Sequence, residues 1–208
     1  LEDLSGDTLL FARDITVGIR QINPLRKEIT IGSINLHESL LSLSIDSARN
    51  LNLSYFIEKL KGNGKREGGW TFRFNTLHMR DGRFALRSYY ARPVDSGINY
   101  SDMVVTGIDA NLKQFRPSPD SVFFLIQSLR FREKSGFTLE NLSARFSQSK
   151  TFLSFRDVTI QTPRSRIHGD DISLRFSLEP SSHSPQSIAT KVLQFIAAVA
   201  EARNVARF

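Results

Sequence analysis

Apolar and polar residues alternate with a period of two along most of this chain. Ile15, Val17 and Ile19 alternate with Thr16, Gly18 and Arg20, and Leu41, Leu43 and Ile45 with Ser42, Ser44 and Asp46. Trp70, Phe72 and Phe74 stand against Thr71, Arg73 and Asn75; Leu129 and Phe131 flank Arg130 and precede Arg132. Leu142, Ala144 and Phe146 follow the same rule, as do Ile172, Leu174, Phe176 and Leu178. Successive side chains of a strand point to opposite faces, so each run has one apolar face and one of Ser, Thr and Arg. Parallel sheets covered on both sides show near-continuous apolar runs instead, so this pattern predicts antiparallel pairing.

The breaks between runs agree. Asp81-Gly82 lies between Leu77–Arg80 and Arg83–Leu86 and predicts a type I′ hairpin, whose two central residues need positive φ. Ser135-Gly136 predicts a turn into a strand from Phe137, and the prolines near 117–119 and at 163 predict strand ends. Four places, Ile31 to Ile34, Phe74 to Leu77, Leu139 to Leu142 and Phe155 to Val158, join two runs by a three-residue step. An odd step flips the face, so keeping both runs on one side needs a bulge or a tight bend, which coils the sheet. Leu53, Phe56, Ile57 and Leu60 have helical spacing, followed by a Gly- and charge-rich loop from Lys61 to Gly69. Ile188, Val192, Phe195, Ile196 and Val199 form a second, longer helical stripe within 187–207, after a Pro/Ser linker at 180–185. The expected fold is mainly β: a long curved antiparallel sheet forming a groove, with one short internal helix and one C-terminal amphipathic helix. Residues 1–179 would form the groove and 180–208 the linker and a helix packing on or capping it.

Composition sharpens this picture. Hydrophobic residues make up 40% and charged residues 24%, which argues against wholesale disorder and against a membrane-embedded chain. Sixteen Phe against one Trp and four Tyr provide apolar area without a polar group that needs a partner, as a dry surface requires. The absence of Cys removes disulfides, thiolate chemistry and sulfur-based zinc sites. A net charge of +7 fits an anionic partner, or simply a solvated basic face. Nucleic acid is disfavoured, because aromatics and arginines on opposite strand faces cannot stack bases and grip phosphates from one surface. No stretch approaches the ~18 apolar residues of a membrane helix. The start Leu1-Glu2-Asp3-Leu4 has neither initiator Met nor signal pattern, so the chain reads as part of something longer, with an anchor or signal upstream.

Catalytic constellations do not emerge. His37, His78, His168 and His183 are scattered without helical metal-site spacing, and Gly62-Asn63-Gly64 lacks the Lys-Ser/Thr ending of a phosphate loop. Asp102 with Asp109, or Asp170 with Asp171, could pair as carboxylates only if the fold brings them together. The expectation is a protein that is not an enzyme, with no catalytic residues, metal or cofactor.

A set of weak motifs in order resembles a known family. Gly6–Val17, Glu28–Leu36, Leu51–Ile57 and Leu77–Phe84 are similar to the N-terminal region of the translocation and assembly module TamB, of the TamB/AsmA-like family in its Bacteroidetes form. Ser135–Phe146 and Leu153–Ser165 resemble its "sGf-x-L-x-x-L" and "l-x-l-x-T-x-x-S" signatures. The similarity spans roughly residues 4–178 and leaves the final helix outside the pattern. It implies a periplasmic protein, tethered to the inner membrane through sequence not present here, built as a curved sheet with an apolar trough. It also implies passage of phospholipid or another acyl-chain lipid between the two membranes, and an outer-membrane barrel protein of the BamA/TamA type as partner.

On this reading Phe72, Phe74, Leu129, Phe131, Phe146, Phe155 and Phe176 contact acyl chains. Two other readings stand beside it. The same faces could pack on a second layer, as in a sandwich. Or the sheet edges could pair with client strands, making the chain a scaffold for outer-membrane protein assembly. Whether the apolar face is covered separates the first two.

Overall fold

The computed structural model describes residues 2, 6, 8–48, 51–52, 71–95, 97–117, 121–149 and 151–175. These form nine strands: β1 (Leu10–Asn23), β2 (Glu28–Ile45), β3 (Thr71–Ser88), β4 (Asp102–Pro117), β5 (Ser121–Glu133), β6 (Thr138–Leu139), β7 (Asn141–Ser149), β8 (Phe152–Thr162) and β9 (Ser165–Arg175). They make one open sheet in the order β1-β2-β3-β4-β5-β7-β8-β9, with β6 also paired to β5. No helix occurs among the described residues. Both expected helices, 54–60 and 187–207, the loop at 61–69 and the segment 180–208 lie outside them.

The mainly β, curved-sheet expectation holds, and every neighbouring pair but one is antiparallel. The exception is β2 with β3, which run parallel at a constant offset from Glu28↔Thr71 to Ile45↔Ser88. Alternation reports which face is apolar and not which way a neighbour runs, so the pattern could not reveal it. A parallel pair needs the chain to return along the strand before starting again, and residues 46–70 separate the two strands.

Asp81-Gly82 does not form the expected hairpin. β3 passes straight through it, and the two residues form an irregularity against β4, where the register shifts between Met79 and Phe84. Asp81 adopts positive φ (52°) but Gly82 does not, so only one of the two central residues takes the conformation a type I′ turn needs. Its N–H donates to Asp109 Oδ1 at 3.0 Å, an acceptor from the next strand that holds the chain in line. By contrast, Gly136 (φ 96°) turns the chain after β5 as expected, and Pro163-Arg164 link β8 to β9.

The odd steps are where the sheet coils. Opposite Asp157 (φ 49°) the register of β7 and β8 slips between Ser143 and Arg145, so Phe155 and Val158 both face inward and are buried. Between Ile31 and Ile34 the slip falls at Gly32, compensated by Arg20 on β1. Further flips occur where the pattern gave less warning: at Glu38 (φ 47°), Gly107 (φ 59°) and Gln114 (φ 55°), and at Gln127, which is skipped between Asn111↔Ser128 and Leu112↔Ile126. Each swaps the inward parity of its strand, so the apolar set stays on one side while the ribbon bends.

Candidate functional site: an apolar trough

Registers on successive strands align apolar residues across the sheet. Val17 stands beside Ile34, Ile34 beside Leu77, Leu77 beside Leu112, Leu112 beside Ile126 and Ile126 beside Ala144. A parallel row is aromatic. Phe74 stacks on Phe115 with ring centroids 4.0 Å apart, Phe115 lies 6.1 Å from Phe124, Phe124 4.5 Å from Phe146, and Phe146 5.1 Å from Phe155. Five rings thus cross β3, β4, β5, β7 and β8, each pair adding to plain area burial.

The row is not uniformly covered. On β7 and β8 it is a packed interior: Phe146 and Phe155 are 0% exposed, and Leu142, Leu153 and Ile160 are as fully buried. On β1 it is open, with Ile15 59% and Ile19 60% exposed. Between these, Leu36, Leu77, Met79, Leu112 and Leu129 are half-buried. They line a cavity of about 410 Å³ with Leu10, Leu41, Phe84, Ile126 and Phe131, contributed by five adjacent strands. That volume lies within the roughly 300–1,000 Å³ of small-molecule sites. Ser39 and Arg83 are the only polar residues among those lining it.

The expected contact residues therefore divide. Leu129 and Phe131 line the cavity, although Phe131 is itself only 4% exposed and rests against Phe137 at 6.1 Å. Phe74 is half-buried in the aromatic row. Phe146 and Phe155 belong to the covered end of the same row. Phe72 is held in β3 by its backbone, with its side chain outside the description, and Phe176 is outside it altogether. Sequence reasoning missed Leu36, Leu77, Met79 and Ile108, because their inward orientation depends on the flips at Glu38, Asp81 and Gly107.

A larger hollow, about 870 Å³, lies on the opposite, polar face around Arg80, Thr106, Asp109, Arg130, Arg132 and Glu140. One ion pair and one neutral hydrogen bond hold its acids. Arg130 bonds Asp109 at 2.6 Å, and Glu140 accepts from Gln161 at 3.0 Å. Burial works to raise the Asp109 pKa, but the Asp81 N–H, Arg130 and Arg80 outweigh it, and the carboxyl sits below its ordinary value. Three arginines and three acids line this hollow, leaving no net charge to attract a ligand. Asp102 and Asp109 do not pair as carboxylates: each has its own cation, Asp102 bonding Lys134 at 2.6 Å. Asp171 likewise bonds Arg156. Among the described residues no group of three His, Asp or Glu could hold a metal ion.

The arrangement can shelter hydrocarbon along one concave face while the other stays wet. Compared with family models, curated proteins and solved structures, the chain matches none.

Proposed function

We propose that this chain carries acyl-chain lipid, with phospholipid as the cargo, in the apolar trough between β1 and β5. The observation that carries the reading is the exposure gradient of a single apolar face. It is fully packed at β7–β8, forms an apolar cavity across β1–β5, and is open to solvent farther along β1 at Ile15 and Ile19. An ordinary core would be covered throughout. Each methylene moved from water onto such a surface is worth roughly 0.8 kcal/mol, so two acyl chains need little polar recognition. The resemblance to TamB-like proteins agrees, and with it a periplasmic setting with an inner-membrane tether.

The test places a charge on the half-buried part of the trough. In Leu36→Glu and Leu77→Glu the new carboxylate can stay hydrated, because the trough is open there. Co-purified lipid, measured by mass spectrometry, is expected to fall in both while thermal unfolding stays near that of the parent protein. Asn35→Glu, on the opposite exposed face, is expected to change neither. Undiminished lipid in a folded Leu36→Glu protein rejects the reading.

A second reading, strand-pairing assembly with a barrel partner, draws on β1. Among the described strands none pairs with its outer edge. That edge offers backbone groups to an extended client.

A further inference from the structure

The turn joining β1 to β2 has an unusual apex. Leu25 is 98% exposed, the largest value among the exposed large hydrophobics of the described residues. The turn that presents it is shaped: Arg26 N–H donates to Asn23 Oδ1 at 3.1 Å, Lys27 N–H donates to Pro24 O at 3.2 Å, and Lys27 holds φ 49°. Arg26 and Lys27 follow Leu25 in the turn and Arg20 stands lower on β1, all three exposed and none with an ion-pair partner among the described residues. The neighbouring acid, Glu28, is taken by Arg73 at 2.8 Å. From the apex, Ile22 and Ile19, 53% and 60% exposed, lead directly onto the trough face of β1.

The opposite end of the sheet is built differently. Lys134 is paired with Asp102, and Glu133 is buried, accepting from Ser135 N–H at 2.7 Å. Leu43, Leu86 and Met103 close the apolar face there. Val94 is exposed at that end too, with Tyr89 and Tyr90, but it stands next to Asp95 in the chain.

An exposed apolar apex next to unpaired cations matches a bilayer interface, where apolar groups enter the headgroup–acyl boundary and basic side chains meet anionic lipid. We propose that the Pro24–Lys27 turn is a membrane-docking tip. Leu25 enters the boundary of an anionic phospholipid bilayer, while Arg20, Arg26 and Lys27 lie against the headgroup phosphates. Ile22 and Ile19 then form a continuous apolar step from bilayer to trough. The inference rests on the reading of the trough as a lipid carrier, and adds the place where lipid gets on or off.

The chain has no cysteine, so Leu25→Cys can be labelled singly with an environment-sensitive fluorophore, and Val94→Cys likewise as the control. With mixed phosphatidylcholine–phosphatidylglycerol vesicles, a blue shift and brightening are expected at position 25 and not at 94. Phosphatidylcholine vesicles alone should give little response. In flotation of the unlabelled chain, Arg26→Gln with Lys27→Gln should weaken binding about fivefold per charge removed, so roughly 25-fold together. Leu25→Glu should abolish it. Co-purified lipid in the parent protein reports on the trough separately: docking without trough lipid rejects the carrier reading alone. No response at position 25, or an equal one at 94, overturns the tip.

Discussion

Glu38 on β2 and Asp81 on β3 take the same left-handed backbone conformation, φ 47° and 52°, at matching places in the parallel register. They are bracketed by His37↔Arg80 on one side and Leu40↔Arg83 on the other. Gly107, at φ 59°, continues this line on β4 beside Thr106, the partner of Arg132. Three adjacent strands therefore change inward parity together, and the sheet can bend along that line without losing its apolar side. Glu38 is held by Arg13 at 2.8 Å, and Asp81 by the carboxylate of Asp109.

Positive φ is costly for a β-branched side chain and free for glycine. Asp81→Val is expected to destabilise the chain by about 1–3 kcal/mol, and Asp81→Gly to stay near the parent value. Urea unfolding of the two variants checks this. Equal effects would show that the conformation is not under strain at this position.

The Asp109 carboxyl carries a pH dependence whose sign follows from its depressed pKa. A group of this kind stabilises the fold above its unfolded-state value, near 3.8, and loses that contribution as pH falls through the folded value. At neutral pH Asp109→Asn should cost about 1 kcal/mol through the weakened bonds to the Asp81 N–H and Arg130. The gap between variant and parent should close as pH drops below about 4. Thermal melts across an acid series measure it, and a gap that stays constant in acid contradicts the assignment.

Phe131 and Leu36 line the same cavity and differ in burial. Phe131→Glu forces a carboxylate into a closed position and should cost at least about 3 kcal/mol. Arg130→Glu, on the outer face, should cost about 1 kcal/mol through loss of its pair with Asp109. If Phe131→Glu unfolds like the parent protein, the side chain is not enclosed and the trough extends further along β5 than described.

Phe146 marks the packed end. Fully buried between Phe124 and Phe155, it has no open side into which the structure could relax, so Phe146→Ala should cost about 3–5 kcal/mol. Leu77→Ala, half-buried over the cavity, should cost clearly less. Chemical denaturation of the pair tests the exposure gradient independently of any lipid.

Much of this architecture was legible from alternation alone. The runs around Ile15, Leu43, Phe74, Phe131 and Phe146 became strands with their apolar residues on one side, and the step from Phe155 to Val158 became the bulge at Asp157. The direction of β3 relative to β2 was not legible, because a period of two is the same read either way. Asp81-Gly82 misled because a dipeptide able to take positive φ serves a hairpin and a mid-strand irregularity equally well. The acceptor that selects the second, Asp109, lies 28 residues away. The cavity lining was only partly visible for the same reason: Leu36 and Met79 change sides through contacts remote in sequence.

The parallel seam between β2 and β3 also bears on how the chain reaches this shape. From β3 to β9 every partner is close in sequence and can zip up strand by strand, and β1 with β2 is a hairpin able to form alone. Among the described residues these two bodies are joined chiefly by the fifteen register pairs of the seam, with Tyr89 N–H donating to Ile45 O just past its end, across a connection that must first traverse the length of a strand. Loop closure of that kind slows assembly, so the hairpin should add last to a preformed meander. Until it does, the β3 edge stands bare with Phe74, Leu77 and Met79 beside it, the surface most exposed to mispairing during folding.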